Sequence, residues 1–543
     1  MGFKFYFPLI MFLLLSALAA FIGMIKYGNT YEVRKAKKKE KSKNLFIRLL
    51  RYIKGKEKYF IIAFIGMIVV VIFGLVQPLI LGRVMGLLSE DEFDFNSFVW
   101  IIALLVVIII VSSIVNYSQS IVLQKAGQKI IYEMREDVFN KIESLSIGQL
   151  NLIPVGKLVT RVTSDTMAIN QMYTQIIISL IRNILSIVGV LIAMFIVNWE
   201  LTLYVLMVAP LVIGFSVIFR YFSRKAHRNV RNSISNVNAS LSENISGMKI
   251  TQAFNQEEKQ YNNFAKSNNS LYRNSFKEIF VFGIFRPSIR ALYYLAVVIV
   301  LYVGSHKILG SNYAISLTVI VIFYQYIERF FTPIQQLADQ FNRLQSAFAA
   351  SERIFELLDT DPTVQNQPNS LELKELKGEI EFKNVWFAYE NEDWVLKDVS
   401  FKINAKETVA FVGATGSGKT TILSLIARNY DIQKGQILID GMDIKDIDIH
   451  SLRRGIGQML QDVFLFSGTI KSNISLKDDS ITEEEILEAC KFVNADKIIN
   501  KLPNGINEEV RERGNNFSAG ERQLLSFART VVTGTRPEPL RGV

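Results

Sequence analysis

Apolar residues in this chain are gathered into blocks. Before residue 335, seven stretches centre on 5–25, 60–81, 98–116, 174–197, 201–219, 281–303 and 314–334. Each approaches the roughly 20 residues a helix needs to cross a hydrocarbon core. The pattern predicts six core membrane spans and one extra N-terminal span. That first stretch, "FYFPLIMFLLLSALAAFIGMI", follows Lys4 as a signal peptide would. More positive charge follows it than precedes it, so a retained span with its N-terminus outside is the favoured reading.

The polar connections alternate in length and sign. Residues 86–97, "GLLSEDEFDFNS", are short and acidic, and 198–200, "NWE", form a tight turn. Segments 117–173 and 220–280 are long, polar and rich in Lys and Arg. Positive loops stay inside, which puts 26–58, 117–173 and 220–280 in the cytoplasm. Connections this long are rarely structureless. In "AGQKIIYEMREDVFNKIESLSI" (126–147), Ile130, Ile131, Met134, Val138 and Ile142 recur at helical spacing. Paired helices of about 25 residues, out and back, reach roughly 40 Å beyond the membrane. Arg182, Arg286 and Arg290 fall near cytoplasmic span ends, where snorkelling is the expectation.

After "SERIFELLDTDPTVQNQPNS" the pattern changes. Pro362 and Pro368 mark a linker. "GEIEFKNVWFAY" (378–389) alternates through Ile380, Phe382 and Val385, and "VLKDVSFKI" follows, so both read as strands. "TVAFVGATGSGKTTILSLIA" (408–427) reads as a buried strand, a glycine loop and a helix. Gly413, Ala414, Thr415, Gly416, Ser417, Gly418, Lys419 and Thr420 fit G-x-x-x-x-G-K-[ST] in full. The glycines let backbone N–H groups curl around phosphate oxygens, and the helix start adds partial positive charge. Lys419 is spaced to reach the outer phosphates, and the Thr420 hydroxyl to ligate Mg²⁺. In "TEEEILEACKFVNADKIINKLP" (482–503), Thr482 and Glu485 form a capping box.

Composition fits this picture. Half the residues are hydrophobic and the formal net charge is +11. The basic excess is concentrated around "VRKAKKKEKSK" (33–43) and beside apolar blocks, which suits a membrane protein with basic inner loops and not a nucleic-acid binder. Cys490 is the only cysteine, so no intrachain disulfide is possible.

Five segments carry a family resemblance. They are the phosphate loop, "SLRRGIGQMLQDVFLFSGTIKSNI" (451–474), "NNFSAGERQLLSFAR" (515–529), and the membrane-half segments "GKLVTRVTSD" (156–165) and "VNWELTLYVLMVAPL" (197–211). Together, from about residue 45 to 532, the chain resembles a half-transporter of the ATP-binding cassette (ABC) exporter type. The resemblance implies that Tyr389 stacks on adenine and that Gly413 to Thr421 hold the phosphates of ATP. It implies that Gln461, with Thr420, approaches Mg²⁺. Phe517, Ser518, Ala519, Gly520 and Glu521 match the signature, which contacts the γ-phosphate of ATP held by the opposite subunit. Ala519 stands where the family most often has glycine, a departure that favours a different subunit as partner over a homodimer. Arg511 to Gly514 resemble the segment that meets the cytoplasmic stalks.

The resemblance also implies an apolar strand after the signature helix, ending in an Asp and a catalytic Glu. Here that stretch reads "TGTRPEPLRGV", with two prolines and an arginine, so a cassette cut short before those carboxylates is expected and no catalytic residue is assigned.

The resulting expectation is a multi-domain membrane protein. An all-α transmembrane domain precedes an incomplete α/β P-loop cassette. Its parts are the extra span (1–30), the transmembrane domain (45–350), the linker (351–377) and the cassette (378–543). The implied activity is ATP-driven export of amphipathic small molecules, lipids or peptides across the cytoplasmic membrane, with the cassette in the cytoplasm. The alternatives are a non-hydrolysing partner subunit that lends its signature to another chain, or a non-functional fragment.

Single cysteines introduced into a Cys490→Ser background test the topology. Positions in 86–97 should label from outside intact cells. Labelling of 230–270 from outside would overturn the assignment.

Overall fold

The computed structural model describes residues 45, 47–88, 93–309, 316–373, 376–459 and 463–534. The expected N-terminal span lies outside them. Two compact units emerge. The first takes the chain up to Val138 together with Thr160–Leu358, and the second takes Phe139–Val159 together with the chain from Asp359. A short piece of the membrane half thus belongs with the cassette.

The first unit is helical. Hydrocarbon offers no partner for a backbone N–H or C=O, so apolar stretches this long must pair their backbones internally. The helices are α1 (Glu57–Leu87), α2 (Phe95–Ser144), α3 (Ile147–Leu152), α4 (Val155–Val197), α5 (Trp199–Ser246), α6 (Met248–Ala253), α7 (Glu257–Leu309) and α8 (Leu317–Leu358). Of these, α3 falls in the second unit. The long helices take in five of the six apolar stretches expected beyond residue 45 and the last one from Leu317 on. By length and composition, four are apolar enough to cross a membrane: Glu57–Leu87, Phe95–Ser144, Val155–Val197 and Glu257–Ile308. The long inner segments are continuations of these helices: α2 has 50 residues, α5 48 and α7 53.

Side chains from α4, α5, α7 and α8 build the main apolar core, with Met194, Val205, Ala296, Phe323, Tyr326 and Ile327 fully buried. Pro78 inside α1 cannot donate to the carbonyl four residues back. Beside that gap Tyr326 Oη donates to Leu75 O at 2.7 Å, and Arg329 Nη2 donates to Gln77 Oε1 at 2.6 Å.

Arg182 corrects the snorkelling expectation. Its guanidinium is half-buried and turns onto α2, donating to Gln119 Oε1 at 3.0 Å and Asn116 Oδ1 at 3.3 Å. An apolar surrounding favours such partners over a reach toward water. Arg290 is exposed, and the Arg286 side chain lies outside the described residues.

Near the inner end of α4 the helix widens into a π-turn at Arg161–Asp165. Asp165, only 3% exposed, accepts from Arg161 Nη1 at 2.9 Å and from Arg353 Nε at 3.1 Å, and Arg353 Nη2 adds a second bond. A buried carboxylate requires such partners. Arg353 lies on α8, so this ion pair fastens the last long helix to the π-turn.

In the second unit, β1 (Ile380–Ala388) pairs antiparallel with β2 (Trp394–Ile403) and with β3 (Lys434–Ile439), and β4 (Met442–Asp443) extends β3. Phe382 faces Phe401 across the ladder, their rings stacked at 4.5 Å. Between β2 and β3 lies α9 (Lys419–Ile426), whose Ile422, Leu425 and Ile426 join Phe382, Phe387 and Ile437 in one core. A second core gathers Leu465, Ile470, Ile474, Cys490, Leu525 and Ala528 around α10 (Glu483–Phe492) and α11 (Ala519–Gly534). Burial there pushes the Cys490 thiol up to about 11, which leaves it a poor nucleophile near neutral pH. The capping box forms as expected, with Thr482 N donating to Glu485 Oε2 at 2.7 Å.

Residues 408–412, expected as a buried strand, differ. They carry no strand pairing among the described residues, and Val412 is 90% exposed. A central parallel strand exists only through ladders on its flanks, and the described sheet consists of antiparallel neighbours that do not include it.

Substituting Asp165→Asn should cost about 2 kcal/mol, the loss of hydrogen bonds to charged groups at a buried acceptor. Thermal unfolding of the detergent-solubilised protein measures it. In a double-mutant cycle with Arg353→Met the two effects should not add, and full additivity would show that the ion pair contributes nothing.

Candidate functional site

The expected phosphate loop is a tight turn ahead of α9. Gly416 and Gly418 adopt φ of +84° and +89°, in the left-handed region that favours glycine. At Gly418 a Cβ would also lie 2.7 Å from Leu396 Cδ2, so the position is closed to side chains twice over. Ser417 N donates back to Ala414 O at 3.2 Å, which closes the loop. The first N–H groups of α9 have no intrahelical acceptor and point to where an anion would sit. Lys419 Nζ donates to Gly413 O at 2.9 Å and to Ala414 O at 2.8 Å. Its third proton remains for another acceptor. Thr420 is exposed beside it, and Thr421 is buried.

Tyr389 follows β1 directly and is 48% exposed. Its hydroxyl shares a 3.0 Å hydrogen bond with Thr421 Oγ1, so the ring is tied to the first turn of α9. Gln433 fixes the residue before it: its Nε2 donates to Ala388 O at 2.8 Å, and its Oε1 accepts from Ala388 N at 3.1 Å. The Tyr389 ring stands edge-on to Phe387 and Tyr430, with centroids 4.9 and 5.1 Å away. Tyr389, Lys419, Thr420 and Thr421 therefore form one cluster. An exposed hydroxyl at Thr420, a lysine and a helix start make a donor set that fits a phosphate–Mg²⁺ group.

The expected signature residues sit on the second core. Phe517 is buried there, while Ser518, Ala519 and Gly520 are exposed at the start of α11. Ser518 and Glu521 cap one another: Ser518 N donates to Glu521 Oε2 at 2.7 Å, and Glu521 N donates to Ser518 Oγ at 3.3 Å. The Ser518 hydroxyl proton is not used by that cap. Gln461 lies outside the described residues. The segment just after it is held by Asn473, 1% exposed, whose Oδ1 accepts from Phe466 N and whose Nδ2 donates to Phe466 O, both at 2.7 Å. Arg529 on α11 donates to Asn473 O at 2.8 Å and Phe464 O at 3.1 Å. The end of the expected Gln461 loop is thereby tied to the signature helix.

With loop, aromatic residue and signature placed, comparison with known proteins decides the family. Residues 60–334 match the ABC transporter transmembrane region, and residues 396–536 match the ABC transporter domain. The chain belongs to the ABC transporter family. It therefore joins a membrane region to an ATP-binding domain that faces the cytoplasm. The transporter is 35% identical over 493 residues to the uncharacterized ABC transporter ATP-binding protein YknV of Bacillus subtilis, covering 89% of this chain and 80% of that one. It is 36% identical to the probable multidrug resistance ABC transporter ATP-binding/permease protein YheH of the same organism, covering 78% of this chain and 63% of that one. It is 29% identical to the ATP-dependent lipid A-core flippase of Syntrophus aciditrophicus, covering 90% and 81%.

Sequence reasoning missed Gln433, Asn473, Arg428 and Tyr430. The signal for the last two was present: "RNYD" (428–431) sets polar and aromatic residues just after the apolar run of α9.

Gly418→Ala should weaken ATP binding about tenfold, because a side chain there fits neither the left-handed φ nor the space beside Leu396 and must pull the loop off the shape that presents its N–H groups. Gly156→Ala, which meets nothing within 4 Å, is the control and should bind as wild type. Titration calorimetry of both variants decides the point, and equal affinity would remove Gly418 from the site.

Proposed function

We propose that this transporter exports amphipathic small molecules, lipids or peptides, driven by ATP, as one half of a dimer. The observation that carries this reading is the single cluster of Tyr389, the 413–420 loop and the start of α9, on a chain that also bears membrane helices. In this reading adenine stacks on Tyr389, backbone N–H groups of the loop and Lys419 take the phosphates, and Thr420 and Gln461 approach Mg²⁺. Magnesium, when bound, would neutralise phosphate charge. The printed names of two relatives, a multidrug resistance protein and a lipid A-core flippase, support an amphipathic cargo. Six core spans in the cell membrane complete the reading.

Two features support a partner subunit. Helix α6, at the tip of the α5–α7 hairpin, leaves Ile250 67% and Phe254 72% exposed. Apolar tips in water call for a covering surface, and the cassette of a second half-transporter is the occupant in this reading. Ser518 and Gly520 stand exposed at a helix start, where they can meet a partner's ATP. Ala519, in place of the usual glycine, favours a different subunit.

Inside-out vesicles carrying the transporter, with its partner where one is required, should accumulate a fluorescent amphiphile such as Hoechst 33342 or flip an NBD-labelled phospholipid only with ATP. Lys419→Ala should abolish photocrosslinking by 8-azido-ATP and should lower transport at least tenfold. Wild-type crosslinking in that variant would overturn the nucleotide assignment, and ATP-independent accumulation of both probes would overturn export.

A further inference from the structure

Helix α3 belongs to the cassette's compact unit, and its anchorage there is specific. Ser146 caps it, and Ser146 Oγ lies 2.6 Å from Thr363 Oγ1. Gln149 Nε2 donates to Asp361 O at 2.9 Å, and Gln149 Oε1 accepts from Thr363 N at 3.2 Å. Two residues further, Asn151 Nδ2 donates to Tyr430 Oη at 3.1 Å. Gly148 lies close against the same ring: a Cβ there would sit 2.4 Å from Tyr430 Cε1 and 2.8 Å from Cδ1. The centroid of that ring lies 5.1 Å from that of Tyr389 and 5.6 Å from that of Phe387.

Tyr430 has little room to yield. Two residues before it, Arg428 is 2% exposed and holds Asp431 Oδ1, Ile447 O and Gln365 O at 3.0–3.1 Å. Arg453 Nη2 grips the Arg428 carbonyl at 2.9 Å. Tyr389 is fixed in turn by Thr421 and, through Ala388, by Gln433. A ring confined between two anchored neighbours transmits displacement in place of absorbing it.

We propose that Tyr430 is a positioning residue for the adenine end of the nucleotide: it sets the Tyr389 ring, and its own place is set by the backbone of α3 at Gly148. This rests on the reading that Tyr389 stacks on adenine. The consequence is selective. The seating of α3 governs the strength of the adenine contact and leaves the phosphate contacts at 413–420 alone. By linkage, adenine on Tyr389 strengthens the seating of α3 by the same factor. Since α3 follows α2 after only Leu145 and Ser146, the base of the nucleotide and the end of a membrane helix act on one aromatic ring.

The test separates base from phosphates. Calorimetry on the full chain in nanodiscs compares Mg²⁺–ATP with Mg²⁺–tripolyphosphate. Tyr389→Ala should weaken ATP about tenfold, as lost base stacking does, with tripolyphosphate unchanged. Tyr430→Ala and Gly148→Ala should each weaken ATP about three- to tenfold, the scale of one aromatic contact, again with tripolyphosphate within about twofold. Tyr430→Phe keeps the ring and should restore wild-type ATP affinity. If Tyr389→Ala leaves ATP binding intact, the adenine reading itself fails. If Tyr389→Ala weakens ATP while Tyr430→Ala and Gly148→Ala do not, that reading stands and the role of Tyr430 is overturned. Equal loss of ATP and tripolyphosphate in Tyr430→Ala would also overturn it, because a merely structural residue damages both ends of the site alike.

Discussion

A backbone polar group in hydrocarbon has no solvent partner, and the architecture of the membrane half follows from that constraint. A helix cannot end where its last carbonyls would face lipid, so it runs on until polar surroundings allow a turn. Here three helices continue to 48–53 residues, and the short helices Ile147–Leu152 and Met248–Ala253 stand where the rods end. Polar side chains within the apolar stretches obey the same rule. Arg182 finds Gln119 and Asn116, and Arg329 finds Gln77 beside the gap left by Pro78.

The cassette distributes its chemistry over two cores. The phosphate loop is strung between β2 and the sheet-packed α9, with Tyr389 at the end of β1. The signature rides on a helical core built around Cys490 and Leu525. Each site element leaves a rigid support at its first free residue: Tyr389 after Ala388, Gly418 before Lys419, Ser518 before Ala519. A binding group placed there keeps the precision of the element while remaining accessible.

What the sequence disclosed and what it withheld divide by the range of the interaction. Helix positions, the capping box at Thr482 and the strands at 380–388 and 394–403 rest on local periodicity, and the structure repeats them. The phosphate loop was legible because glycine, lysine and threonine must stand at fixed spacing. Residues 408–412 misled because a run of apolar residues announces a strand without supplying its neighbours. Arg182 misled because its partners lie on another helix, 63 and 66 residues away in sequence. Tyr430 stood out as an aromatic residue after α9, but its partner did not: its meaning comes from Gly148, a contact across just over half the chain that no spacing rule reports.

The state of Lys419 shows how the loop can be both stable and receptive. Its ammonium closes the loop onto two of the loop's own carbonyls, a neutral-acceptor arrangement at an exposed site. Such bonds are already charge-assisted, on the order of 1.5–3 kcal/mol each, and water competes for the same groups. A phosphate would keep a charge-assisted bond to the ammonium and add the attraction of a full opposite charge. In the proposed reading, a phosphate at the start of α9 therefore draws the ammonium away from the carbonyls while the backbone of the loop stays in place. The glycines at 416 and 418 already hold the backbone in its left-handed turns, so the exchange costs a lysine rotamer and no refolding. The loop's shape is thus fixed by backbone geometry and its charge by a mobile side chain, which leaves the aromatic cluster around Tyr389 as the part of the site whose position must be set from elsewhere.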